Sequence, residues 1–225
     1  MIQNISKINA AKEAVKLVKN GMIVGLGTGS TAKIAVGLLG NKISKNFQIK
    51  GMPTSLATEK QAKELGIELV NIDEYDNIDI AIDGADEVLL DKSMIKGLGG
   101  ALLREKKVEI KARELIIIVD ETKIVDVLGK GPLPVEVGIS NYERTGTLIE
   151  KLGCKTELRT ESNNKPFITD NGNYIYHLIF TKGIQDPVNL NKKLLEIEGV
   201  KDTGLFLSMA TKVIIGTEKG TRIIE

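Results

Sequence analysis

The side chains in this sequence best suited to chemistry stand beside glycine-rich turns. Gly25-Leu-Gly-Thr-Gly-Ser-Thr31 lies between a short apolar run and a helical pattern. Its glycines admit positive φ and close approach of a ligand to the backbone. Ser30 and Thr31 add hydroxyls where a helix presents unpaired N–H groups. Together these features suit an anion, phosphate above all. The segment lacks the Gly-Lys-[Ser/Thr] of a Walker A loop. It has Ser30 in place of the third glycine of a dinucleotide fingerprint, and residues 47–52 hold no ribose-binding acid. A tight strand-to-helix connection with a Ser/Thr cap is the plainer alternative.

Two further segments carry charge. Asp83-Gly-Ala-Asp-Glu87 follows the apolar Ile78-Asp-Ile-Ala-Ile82. Acids at the carboxyl end of a parallel strand point into the crevice where open α/β sheets bind ligands. Asp83 and Asp86 can converge on one ligand, or hold loops by accepting backbone N–H groups. No histidine and no further acid is spaced to complete a metal shell. Lys96-Gly-Leu-Gly-Gly-Ala-Leu-Leu-Arg-Glu-Lys106 sets a cation beside a turn rich in amides, a setting that suits an oxyanion. Glu105 follows in the next helix; alone it belongs to a solvated charged face, and it gains interest because Asp83, Lys96 and Asp120-Glu-Thr-Lys123 approach the same sheet edge.

The elements that must position these groups follow from hydrophobic period. A helix is expected over 6–19, capped by Ser6 and ended by Gly21, with Ile8, Ala11, Val15 and Val18 as its stripe. Strands are expected at 22–26, 48–52, 67–70, 78–82 and 115–119. Helices are expected at 30–39, 55–65 and 101–113. Continuous apolar strands alternating with amphipathic helices predict an α/β fold: an open, mostly parallel sheet with helices on both faces. After the turn-rich Gly129-Lys-Gly-Pro-Leu-Pro134 the pattern becomes α+β. It holds a strand, a helix over 143–152, a hairpin turning at Asp170-Asn-Gly-Asn173, a helix near 187–196 and a strand near 203–207. A last hairpin, 212–216 with 221–224, is placed to rejoin the first sheet. The expected division is an α/β catalytic domain of residues 1–129 and 204–225, and a small α+β lobe of residues 130–203.

Composition excludes several function classes. Lys+Arg number 31 and Asp+Glu 30, so no global basic field favours nucleic acid. A single cysteine rules out an intrachain disulfide and a cysteine-rich zinc site, and a single histidine rules out a two-histidine metal site. The absence of Trp disfavours a base-stacking platform. No apolar run approaches a membrane span or a signal-peptide core, so the cytoplasm is the expected compartment. His177 is expected to be an ordinary strand or interface residue, and Cys154 a small filler.

Gly-Thr-Gly-Ser-Thr (27–31), Asp-Gly-Ala-Asp-Glu (83–87), Lys-Gly-x-Gly-Gly-Ala-x-x-Arg-Glu (96–105) and Lys123 resemble ribose-5-phosphate isomerase of the A type. Segments 128–137, 169–173 and 204–206 share the resemblance, which runs the length of the chain. It implies interconversion of ribose 5-phosphate and ribulose 5-phosphate through an enediolate, without metal or cofactor, in a homodimer or homotetramer. It implies Glu105 as the base, Asp83 and Asp86 as holders of sugar hydroxyls, with Asp83 aiding ring opening, and Lys96 with the glycine-turn amides as the oxyanion site. Thr28, Gly29, Ser30, Thr31, Gly84, Ala85, Gly97, Leu98, Gly99 and Lys123 are then the substrate contacts, with Lys7 a phosphate contact. Leu98 departs from the family, several members of which carry glycine there; it is expected to leave its amide available while narrowing the site. A related sugar-phosphate deaminase or lactonase would need a histidine-centred pattern that is missing here. A sugar-phosphate sensor would need a DNA-binding module for which no residues remain.

Overall fold

A computed structural model describes residues 2–225, in two compact units. In chain order the elements are α1 (Ile2–Val15), β1 (Ile23–Leu26), α2 (Ser30–Lys42), β2 (Lys50–Pro53), α3 (Leu56–Glu64), β3 (Glu68–Leu69), β4 (Ile78–Asp83), β5 (Glu87–Val88), β6 (Met94–Ile95), α4 (Leu102–Glu109) and β7 (Ala112–Asp120). They continue with β8 (Leu133–Val137), α5 (Tyr142–Glu150), β9 (Lys155–Leu158), β10 (Tyr174–Ile179), α6 (Pro187–Leu195), β11 (Val200–Thr203), β12 (Leu205–Phe206), β13 (Lys212–Thr217) and β14 (Gly220–Ile224).

Of the described residues, the first unit comprises 2–85, 104–124 and 208–225. Its seven-stranded sheet has the order β14-β13-β7-β4-β1-β2-β3, parallel except for the edge strand β14. Ala10, Ala11, Ala14 and Val15 of α1 and Ala35, Val36 and Leu39 of α2 pack on Val24, Leu26, Ile80, Ile82, Ile116, Ile118 and Ile214. Gly25 points to the other side of β1, where a Cβ would come within 3.0 Å of Val108 in α4, so this glycine admits the helix on that face. The C-terminal hairpin rejoins the sheet as expected, with β13 beside β7 in the register Gly216↔Asp120.

The second unit comprises residues 86–103 and 125–207. It holds a four-stranded sheet, β11-β8-β10-β9, and a three-stranded one, β12-β6-β5. Leu133, Val135 and Val137 of β8, Ile149 of α5 and Leu194 of α6 form its core with Cys154, Tyr176 and Leu178. Residues 86–103, 125–129 and 204–207 were expected in the α/β domain. The first and last fall here because Met94–Ile95 pairs with both Glu87–Val88 and Leu205–Phe206, strands too short to show a period, and 125–129 because Val125 and Leu128 pack into the second core.

Several local boundaries also differ. Ser6 lies inside α1, 2 % exposed, and caps nothing; α1 ends at Val15, well before Gly21. Helix α4 stops at Glu109 because residues 112–114 are drawn into β7 by pairing with β4, Ile78↔Ala112 and Ile80↔Glu114. β9 and β10 pair, but Asp170–Asn173 is only the last turn of a longer connection between them.

Candidate active site

The carboxyl ends of β1, β2, β4 and β7 lie at one edge of the first sheet, as their parallel registers require. Gly27 N–H continues the ladder to Ile82 O at 3.0 Å, and Asp83 Oδ1 then accepts Thr28 N–H at 2.9 Å and Gly84 N–H at 2.6 Å. Asp83 is 1 % exposed. A Cβ on Gly27 would lie 2.5 Å from Ile82 O and still closer to the Asp83 carboxylate, so only glycine lets the loop and β4 approach this way. Of the two roles left open for Asp83 by its sequence, holding a loop is therefore realised by one of its oxygens.

The loop then enters α2 through Gly29, φ +107°, with no side-chain cap. The Ser/Thr cap of the plainer alternative is absent, because Ser30 and Thr31 are already helical. The first amides of α2 are therefore left without a side-chain cap, and the exposed Ser30 hydroxyl beside them accepts a hydrogen bond from Lys7 Nζ at 3.0 Å. A cleft of about 420 Å³ opens here, lined by Thr28, Gly29, Ser30, Lys33, Lys60 and Glu64 among others. Amides, a hydroxyl and nearby ammonium groups are the chemistry of an oxyanion site.

Sequence reasoning missed what braces Thr28. Its hydroxyl lies 2.7 Å from Thr54 Oγ1, 2.8 Å from Ser55 Oγ and 3.2 Å from Thr58 Oγ1. Thr54 and Thr58 in turn donate to the carbonyls of Leu26 and Gly27 at 3.0 and 2.9 Å. Ser55 caps α3 by accepting Thr58 N–H. The available signal was the Thr54-Ser55 pair after β2, at the same sheet edge.

Glu105 is 3 % exposed, in the first turn of α4. Glu109, one turn later and therefore on the same helix face, is also buried, and carboxylate oxygens of Asp83, Glu105 and Glu109 all lie within 4.8 Å of one another. The expectation that no further acid joins this group is thus corrected: Glu109 does, through its i, i+4 spacing. Three carboxylates so placed can pass protons or hold a cation. Lys123 ends the short 3-10 turn after β7, whose Asp120 cap accepts Thr122 N–H.

Ala85 closes the first segment of the first unit, and the remaining candidates lie in the second. Lys96 is 2 % exposed, with Nζ 5.3 Å from the centre of the Phe206 ring, and its N–H donates to Gly204 O at 2.9 Å. Asp86 Oδ2 accepts Leu98 N–H at 3.0 Å. The Leu98 amide, expected to be available, is therefore engaged by Asp86, a partner brought close by the β5–β6 hairpin. Arg159 Nη1 donates to Leu98 O at 2.8 Å, a contact across 61 residues that no sequence signal marked. His177 sits in β10, and burial first, then Arg159, holds its pKa below the ordinary value, with Glu157 and Asp86 opposing. Cys154 is buried as a filler, its thiol pushed up to about 11 by burial.

Residues 50–220 match the family model described as ribose 5-phosphate isomerase A (phosphoriboisomerase A). The chain is 46 % identical to ribose-5-phosphate isomerase A of Bacillus mycoides, over 95 % of this chain and 96 % of that protein. It superposes on the structure of ribose 5-phosphate isomerase A from Methanocaldococcus jannaschii with a TM-score of 0.94 and 40 % identity, covering 99 % of each chain. A D-ribose-5-phosphate isomerase in complex with phospho-erythronic acid matches with a TM-score of 0.93 and 40 % identity, over 100 % of this chain and 99 % of that one.

Proposed function

The chain belongs to the ribose 5-phosphate isomerase A family and interconverts ribose 5-phosphate and ribulose 5-phosphate; we propose that it does so with Glu105 as a single proton-carrying base. The observation that carries this reading is the burial of Glu105 beside Asp83 at the edge of the parallel sheet, where the Thr28–Thr31 loop offers an anion site. Moving a proton between adjacent carbons needs one group that both takes and returns it, and a carboxylate does both.

Glu105 takes the C2 proton of the open-chain aldose. The C–H electron pair forms the C1–C2 double bond, and the carbonyl pair moves onto O1 as an enediolate. Glu105 then returns the proton to C1 while O2 loses its proton, O1 gains one, and the C2 carbonyl forms. Lys96 and the amides of Gly97 and Gly99 in the turn stabilise the anionic oxygen; Asp83 and Asp86, with Gly84 and Ala85, hold the sugar hydroxyls. Thr28, Gly29, Ser30, Thr31, Lys123 and Lys7 take the remaining substrate contacts, the α2 amides facing the phosphate. A relative's binding of phospho-erythronic acid supports this reading, since that ligand carries a phosphate and a carboxylate in one short chain. The site works in a homodimer or homotetramer in the cytoplasm.

Glu105→Gln keeps the shape of the side chain and removes the base. It should lower kcat by about 10²–10⁴ with a modest change in KM, read as ketose formation from ribose 5-phosphate. Turnover near that of the unaltered enzyme would remove Glu105 from the mechanism. Activity should persist in EDTA; its loss and recovery with a divalent ion would give the Asp83, Glu105 and Glu109 group a metal instead.

A further inference from the structure

The turn after Lys96 is gripped at one residue from two sides. Asp86 Oδ2 accepts the Leu98 N–H at 3.0 Å, and Arg159 Nη1 donates to the Leu98 carbonyl at 2.8 Å. The next-but-one amide, that of Gly100, is spent on Gly97 O at 2.9 Å. Between them stands Gly99, which is exposed, with open space where a Cβ would be and no hydrogen-bond partner for its N–H among the described residues. The Leu98 carbonyl and the Gly99 N–H belong to one planar trans peptide and point in opposite directions. A bond that pins the carbonyl therefore aims the amide.

Arg159 is built to pin it. Its guanidinium carbon lies 3.8 Å from the centre of the Phe167 ring, a stacking distance. Its own N–H donates to Ile175 O of β10 at 2.8 Å, and its carbonyl accepts Phe167 N–H at 2.9 Å. The arm is thus anchored at both ends of the side chain. Gly100, φ +98°, lets it close on the turn: a Cβ there would come within 2.7 Å of the Phe167 ring and 3.0 Å of Nη1. Burial pushes the guanidinium's pKa down from its ordinary value, in keeping with a cation held in a partly dry place.

We propose that Arg159 is a positioning residue for the isomerisation, which fixes the Leu98–Gly99 peptide so that the Gly99 N–H is the turn's donor to the oxygen that becomes anionic in the enediolate. This rests on the isomerase mechanism above. Arg159 touches no reacting atom; it acts through the peptide it holds.

The test compares Arg159→Ala, Arg159→Lys and the unaltered enzyme, with kcat, KM and thermal melting measured for each. Releasing the peptide lets the donor drift from the oxygen it serves, so Arg159→Ala should lower kcat by about 10- to 100-fold. KM should change by less than about threefold, because the interaction matters in the transition state. Arg159→Lys, which keeps a cation but not the stacked plane, should recover part of that loss. Millimolar guanidinium should raise the turnover of Arg159→Ala and not that of the unaltered enzyme. A folded Arg159→Ala with kcat within twofold of the unaltered enzyme would overturn the proposal, as would a rise in KM with kcat unchanged. If Arg159→Ala does not fold, Arg159→Lys decides: reduced kcat at unchanged KM and melting temperature supports the assignment, and an unchanged kcat overturns it. An unaltered enzyme inert toward ribose 5-phosphate would overturn the isomerase mechanism itself, a result separate from either variant outcome.

Discussion

The loop before α2 and the turn after Lys96 are oriented by the same device, an aspartate accepting backbone N–H groups, but they are braced in different ways. Asp83 is fully buried, accepts two amides, and its loop is backed by the hydroxyls of Thr54, Ser55 and Thr58. Asp86 is half-buried and accepts one amide, and its turn is backed by a guanidinium from beyond β9. Short hydroxyl side chains lose little entropy when fixed, whereas an arginine must be immobilised along its length before it can hold anything. The first brace is a rigid part of the sheet edge; the second is an arm that has to be stacked and anchored.

Replacing each aspartate is the strongest way to break that comparison. Asp83→Ala leaves two amides without an acceptor, at about 1–3 kcal/mol each where water is excluded. It should lower the melting temperature by several degrees and kcat/KM by about 10² or more. Asp86→Ala frees a single amide at a half-exposed place and should cost less in denaturant stability. Equal losses would show that the two braces are equivalent.

Glycine substitutions come next in size. Gly29→Ala places a Cβ at φ +107° in open space, so only backbone strain opposes it, about 1–2 kcal/mol. Gly100→Ala has similar strain at φ +98° and drives the Cβ into the Phe167 ring as well. It should melt at a lower temperature than Gly29→Ala; the reverse order would mean that the Arg159–Phe167 arm yields freely. Thr58→Val should cost about 1 kcal/mol by removing one donor to Gly27 O, with a small rise in KM.

The smallest expected effect concerns His177. Burial depresses its pKa in the folded state, so below about pH 6.5 the unfolded chain binds the proton more readily than the native one. Stability is therefore present above that pH and is lost as pH falls toward the folded value. His177→Gln should flatten the decline of melting temperature between pH 6.5 and 5. An unchanged slope would assign the acid loss to the carboxylates.

Most of the parallel sheet was legible because continuous apolar runs such as Leu115–Val119 are long enough to stand out between amphipathic helices, and strand ends beside Gly, Asp and Ser announce a crevice. The short strands Glu87–Val88 and Met94–Ile95 were not, since two residues have no period. They exist because Leu205–Phe206, from far along the chain, pairs with Met94–Ile95, which in turn pairs with Glu87–Val88. Glu105 was singled out by its motif, while its burial beside Asp83 was not. Glu109 was overlooked because a glutamate near the end of a charged helix has the same sequence signature whether it is buried or solvated.

What the sequence determined by itself was therefore chemistry and order: which residue types sit at which strand ends, and the alternation that makes a parallel sheet. The tertiary structure decided which donors and acceptors remain available. The Leu98 amide is present in any sequence reading, yet Asp86 engages it, while Arg159 and Phe167 enter only because β9 and its following segment fold back onto the turn. Hydrogen-bonding capacity belongs to residue types, but its satisfaction is set by long-range partners, and only packing supplies those.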